Sequence, residues 1–191
     1  MKGKLGDLVV IKAGHPFRGK IEEVKDGTAQ VLQIRDLDEF GQVKDWSTVI
    51  RTNIAGRKQP DWLESGDILF AARGLRNFAG CLNDISAPTV CGPHFFQLHV
   101  NNRREVLPEY VAWALNQQPI QKYFKQSAEG SSQLSIRKAV LENTEITIPT
   151  LAKQESIIGL NRAVINEQRV LKALLASREQ EMNFIAQDIL G

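Results

Sequence analysis

The apolar residues at the end of the chain obey a spacing found nowhere else in it. From residue 148 to residue 190 there is no proline after Pro149 and one interior glycine, Gly159. Ile157, Val164, Leu171, Leu175, Met182, Ile185 and Ile189 fall at alternating steps of three and four, with polar Asn161, Gln168 and Arg178 continuing the stripe. A stripe repeating every seven residues is the seam of a coiled coil, narrower than the face of a helix lying on a globular core. About 40 residues at about 1.5 Å each make a rod of roughly 60 Å. Residues 1–149 are too few to cover such a seam along its whole length, so the pattern predicts a globular head followed by a long helix, residues 150–191, that needs a second helix.

Within the head the apolar residues fall in short runs. Residues 7–11, 29–34, 68–71, 78–82, 95–100 and 144–149 read as apolar strands, and 46–51 alternates in the manner of a half-buried one. Asp38-Glu39-Phe40-Gly41 reads as a turn, and Gly66-Asp67 as a tight turn into the run Ile68-Leu69-Phe70-Ala71. Pro108 opens one helix and Pro119 lies at the start of another, which carries Ile120, Tyr123 and Phe124 on one face. Ser135 is placed to cap a short helix bearing Ile136, Val140 and Leu141. The class is mixed α+β: a mostly antiparallel sheet with short helices, then one long C-terminal coiled-coil helix.

Composition narrows the setting. Apolar residues make up 42% and charged residues 24% of 191, ordinary values for a soluble globular chain. No apolar run is long enough to span a bilayer and the first residues lack a signal-peptide core, so a cytoplasmic protein with no membrane role is expected. Cys81 and Cys91 are too few for a disulfide framework. Net charge is only +2, and the tail from Pro149 carries five basic and five acidic residues. Any contact with a polyanion must therefore come from local clusters of cations.

Two such clusters lie in loops. Arg73-Gly74-Leu75-Arg76-Asn77 follows the strand at 68–71, and two arginines and an asparagine there suit phosphates or base edges. Residues 131–138 place Ser131, Ser132, Gln133, Arg137 and Lys138 near a helix start, a seat for phosphate. A third basic loop, Gly14 to Lys20, spells G-x-x-x-x-G-K, but Ile21 stands where a nucleotide-binding loop needs a hydroxyl for Mg²⁺. Glu23-Val24-Lys25 and Pro60-Asp61 are pieces of a nuclease site in reversed order, and Cys81, Cys91, His94 and His99 fit no usual zinc spacing. Neither reading is favoured.

Taken in order, these stretches resemble a target-recognition domain of a type I restriction-modification specificity subunit with its conserved spacer helix. The resemblance rests on Leu5-Gly6-Asp7, on Gly19-Lys20, and on Gly66-Asp67-Ile68-Leu69 continuing to Arg73-Gly74. It extends through Pro108-Glu109-Tyr110-Val111, Gly130-Ser131-Ser132-Gln133 and Ile146-Thr147-Ile148-Pro149, the last followed by Leu151, Gln154 and Ile157. Family members usually carry two recognition domains and two spacer helices packed as an antiparallel pair. This chain has one of each, which implies a half-subunit that forms a homodimer or pairs with another half.

The resemblance implies a non-catalytic subunit that binds double-stranded DNA, reads one half of a bipartite site, and docks modification (methyltransferase) and restriction subunits. S-adenosylmethionine, and ATP with Mg²⁺, are then expected on those partners, with no cofactor or metal on this chain. Arg18, Lys20, Arg73, Arg76, Asn77, Ser131, Ser132, Gln133 and Arg137 are the expected grip on DNA, with Arg35 beside them. Arg51, Arg57, Lys58 and Lys138 are expected at phosphates. The competing expectation is a coiled-coil scaffold that touches no DNA, consistent with the small net charge.

Overall fold

The computed structural model describes residues 2–54, 59–128 and 134–191. The chain begins with β1 (Lys2–Lys4), a single helical turn α1 (Leu5–Leu8) and β2 (Val9–Ala13). Then come β3 (Ala29–Leu32), 3-10 turns at Ile34–Asp36 and Trp46–Thr48, and β4 (Arg51–Thr52). The middle of the chain supplies β5 (Ile68–Ala71), β6 (Arg73–Gly74), β7 (Ala79–Cys81), β8 (Thr89–Cys91) and β9 (Phe95–Val100). Helices α2 (Pro108–Leu115) and α3 (Gln118–Ser127) lead to β10 (Leu134–Ser135), α4 (Lys138–Glu142), β11 (Glu145–Thr147) and the long α5 (Leu151–Leu190). The mixed class and the long final helix are as the patterns predict, though among the described residues the strands divide among four small sheets rather than one.

The continuous apolar run of β5 explains the centre of the head. In the four-stranded antiparallel sheet β2-β9-β5-β7 it is an interior strand, and all four of its residues are fully buried. A strand covered on both faces has no polar alternation to show. Leu69 and Ala71 join Phe95, Phe78 and Leu82 in a core cluster with Leu32 of β3 and Cys91 of β8, both from the three-stranded sheet β4-β3-β8. Phe70 meets the Phe124 ring of α3 edge-on at 5.1 Å, while α2 packs against β5 and β7. Every sheet pairing is antiparallel except β3 with β8, which is parallel through Val31↔Val90.

The Gly66-Asp67 turn that feeds β5 is held by a buried carboxylate. Gly66 has φ +88°, and a Cβ there would lie 2.6 Å from an Arg103 guanidinium nitrogen. Asp67, fully buried, accepts hydrogen bonds from the Glu64 N–H at 2.8 Å and Gln97 Nε2 at 2.7 Å, and its other oxygen meets His99 Nδ1 at 2.8 Å. A second polar clamp closes the base of the head. β1 pairs with β11, Tyr110 Oη donates to the Thr147 carbonyl at 2.6 Å, and burial pushes that phenol's pKa up. Gln154, fully buried in the first turn of α5, accepts from the Leu107 N–H and donates to the Glu105 and Pro149 carbonyls.

The structure departs from the predicted pattern in four places, in two of them through local side-chain hydrogen bonds. Residues 7–8 are helical rather than extended, so the first long strand starts at Val9. Residues 46–48 form a 3-10 turn instead of a strand, because Asp45 accepts from both the Ser47 N–H and its hydroxyl. The strand expected over 29–34 ends at Leu32, where Gln33 and Asp36 form a reciprocal capping box around the next turn. Ser135 caps nothing; it lies in β10, and α4 starts at Lys138 after Arg137.

The chain separates into two compact units, residues 1–155 and 156–191, so the first turn of α5 belongs with the head. In the second unit Leu171, Leu175, Met182, Ile185 and Ile189 are exposed, as is Val164. Leu160 and Leu174, one position beside the seam, are exposed as well, and Arg178 pairs with Glu181 at 2.7 Å within the helix. Among the described residues no helix is long and apolar enough to cross a membrane.

Candidate nucleic-acid interface

The loop between β5 and β7 is built to hold one shape. Its base is closed by the Ala71 N–H donating to the Phe78 carbonyl and by Asn77 Nδ2 donating to the Ala71 carbonyl at 2.9 Å. One side is tied down where β6 pairs antiparallel with β10, placing Ser135 opposite Arg73 and Leu134 opposite Gly74. The Ile136 N–H extends that ladder to the Ala72 carbonyl. On the other side the Arg76 guanidinium lies 5.2 Å above the Phe78 ring and donates to the Glu39 carbonyl at 2.7 Å. Arg73 and Leu75 are left in solvent, Leu75 completely.

Next to this loop is a cleft of about 210 Å³ lined by Phe17, Gly19, Lys20, Ile21, Gln33, Ile34 and the Gly92–Phe95 turn. Two contacts join the cleft to the loop. The Ala72 N–H donates to the His94 carbonyl at 2.9 Å, and Ile34 lies 3.6 Å from where a Cβ on Gly74 would sit. Arg35, exposed, follows Ile34 directly. The basic loop of residues 14–20 reaches this place because Gly14 passes hard against Gly92, where a Cβ would overlap the carbonyl oxygen at 2.0 Å. His15 then donates to the Cys91 carbonyl and its ring meets Phe17 edge-on at 4.8 Å. No helix follows Lys20, so the nucleotide-loop spelling has no helix N-terminus behind it.

The cleft has an apolar floor and a polar rim. Phe95 is buried, while Lys20 and His94 are exposed. Burial raises the Cys91 thiol pKa from 9.0 to about 12, so this strand end carries no thiolate. The capping box occupies the carbonyl end of the Gln33 amide, and Nε2 is buried with no hydrogen-bond partner among the described residues.

Seen residue by residue, the expected contacts separate. Lys20, Arg35, Arg73 and Arg137 border the linked surface formed by the cleft, β6 and the end of β10, and Arg18 sits in the loop that reaches it. Arg76 shares the surface but is anchored by Phe78 and Glu39. Asn77 is buried, its amide committed to the Ala71 carbonyl, so it shapes the loop from beneath. Arg51 lies apart: it pairs with Gln30 near the start of β3, before the strand ends at Leu32, and its Nε donates to the Gly27 carbonyl. Lys138 pairs with Glu142 one turn on, at 3.5 Å. Arg57, Lys58, Ser131, Ser132 and Gln133 lie outside the described residues.

Sequence reasoning missed Gln33, Ile34, Pro93 and His94 as neighbours of the basic loops. The spacing Gln33-x-x-Asp36 was a visible sign of a capped turn, but the pairing that brings it beside Gly74 is non-local.

Solved structures with the same fold point in one direction. The whole chain superposes on 44% of a chain from a structure of the complex assembly and conformational transition of the type I R-M system, at 19% identity and a TM-score of 0.72. In a second comparison, 98% of the chain matches 47% of the HsdS subunit from Thermoanaerobacter tengcongensis, with 18% identity and a TM-score of 0.61. The type I restriction-modification S subunit from M. genitalium matches over 87% of this chain and 39% of its own, at 16% identity and a TM-score of 0.57. This chain thus spans less than half the length of each. No curated protein matches it by sequence. The family described as type I restriction modification DNA specificity domain matches residues 1–173, and the chain belongs to that family.

Proposed function

We propose that this chain is the sequence-reading subunit of a type I restriction-modification system, with one recognition domain that grips one half of a bipartite DNA site. The observation that carries the reading is the convergence of exposed Lys20, Arg35, Arg73 and Arg137 on one linked surface, in a chain of this family. Arg73 projects from a loop fixed by Asn77 and by β10, the rigid presentation that a bidentate arginine–guanine contact requires. Arg18, Lys20, Arg35 and Arg137 neutralise phosphates and set the register, with Arg51 and Lys138 in outlying contacts. Arg57, Lys58, Ser131, Ser132 and Gln133, which lie outside the described residues, keep the phosphate and base contacts that their chemistry suits.

Helix α5 supplies the second half of the function. The exposed seam from Val164 to Ile189 pairs with the same seam of a second copy or of another half-subunit. A two-fold pair presents two heads at a fixed separation, so its DNA site is split and inverted. The paired helices are also the docking surface for modification and restriction subunits, which hold S-adenosylmethionine and ATP with Mg²⁺ and carry out the chemistry.

The test is binding of labelled duplex DNA by the full chain, followed by fluorescence anisotropy. Arg73→Ala, an exposed side chain, weakens binding to a preferred duplex by about 1–3 kcal/mol and leaves thermal unfolding unchanged. Equal affinity of wild type and Arg73→Ala for every duplex would remove Arg73 from the interface.

A further inference from the structure

Leu75 is the apex of the β5–β7 loop, and it is 100% exposed. Exposed leucines are common, but this one stands on a support that its neighbours build around it. Asn77 closes the loop base, β10 braces Arg73 and Gly74, and Phe78 and Glu39 hold Arg76. Gly74 takes φ +149°, a backbone that side chains rarely adopt, just before the apex. The loop therefore presents a rigid apolar tip between two arginines.

A single leucine flanked by cations is poorly matched to an apolar protein groove, which would have to bury both guanidinium groups with it. It matches a nucleic acid well. Arg73 reaches an adjoining base edge, the positive charge of Arg76 faces the backbone, and the isobutyl group fits the apolar gap between two base planes. Apolar side chains inserted in this way unstack a base step and kink the duplex. We infer that Leu75 is a wedge that enters a base step when the head binds DNA, with Arg73 and Arg76 clamping the strands beside it. This inference rests on the DNA-binding reading and adds to it a mode of recognition: selection of sites by how easily one step opens.

Pyrimidine–purine steps open easily, while A-tracts are stiff. The experiment uses the full chain and two end-labelled duplexes of equal length, one centred on TpA and CpA steps and one on an A-tract. A 2-aminopurine lies next to the central flexible step of the first. Wild type prefers the flexible duplex and raises the 2-aminopurine signal on binding. Leu75→Ala, a change at a fully exposed position, lowers affinity for the flexible duplex by about tenfold, removes most of the preference and abolishes the signal. Leu75→Met retains both, and Lys20→Ala weakens the two duplexes alike. If both duplexes bind but Leu75→Ala changes neither preference nor signal, the wedge is overturned and DNA binding stands. If wild type binds neither duplex, the DNA reading itself fails, and the wedge with it.

Discussion

Replacing Asp67 tests whether a buried carboxylate holds the head in its binding shape. The side chain is fully buried and receives three N–H groups: Glu64 N at 2.8 Å, Gln97 Nε2 at 2.7 Å and His99 Nδ1 at 2.8 Å. Its backbone also closes the turn, since Asp67 N donates to the Glu64 carbonyl and the Leu82 N–H donates to the Asp67 carbonyl. Asp67→Ala leaves the backbone bonds but strands the donors. His99 is half-exposed and can turn to water, whereas Gln97 is 4% exposed and the Glu64 N–H points inward at the vacated site. Two buried donors left unmade, at about 1–3 kcal/mol each, give a loss of about 2–6 kcal/mol. Asp67→Asn is milder. Its oxygen keeps Glu64 and Gln97, and its amide nitrogen faces His99 Nδ1, which accepts in the other tautomer. Only charge assistance is lost, about 1–2 kcal/mol. Urea denaturation should show the midpoint falling in the order wild type, Asn, Ala with constant slope. Equal losses for Asn and Ala, or a loss below about 1 kcal/mol for Ala, would refute the network as the holder of this turn.

Other outcomes follow from the exposed seam and the buried thiol. In the proposed pairing of α5, Leu171, about half-exposed in the single chain, faces its counterpart, so Leu171→Glu should give a monomer in sedimentation where the wild type gives a dimer, with the head's unfolding unchanged. An unchanged dimer would place the seam elsewhere. Burial raises the Cys91 pKa to about 12, so its thiol should resist iodoacetamide at pH 8 until the chain unfolds. Because the folded value lies above the ordinary 9.0, this stabilising contribution is whole below about pH 9 and is lost as pH rises toward 12. Rapid labelling of Cys91 in the folded chain would contradict its burial.

The parts of the molecule that were legible in sequence are those decided locally. The run Ile68-Leu69-Phe70-Ala71, Pro108 at a helix start and the heptad spacing after Pro149 each carry their own signal. Gln154 was legible as part of a motif but not as a clamp, because its three partners lie at Glu105, Leu107 and Pro149. Pairings that join distant segments had no local sign: Lys2 with Thr147, and Arg73 with Ser135. Asn77 shows the same limit at the site. Asparagine beside two arginines suits a base edge chemically, but only the closed loop shows that its amide is needed at Ala71. Leu75 was passed over for the opposite reason, since an apolar letter in a basic loop reads as background until its complete exposure is known.

The measurement that bears most directly on the account is selection of duplexes from a randomised pool by the full chain, followed by sequencing of the bound fraction. The account predicts enrichment of one short motif present twice, in inverted orientation, at a single fixed spacing. Recovery of a pool as random as the one supplied would contradict it.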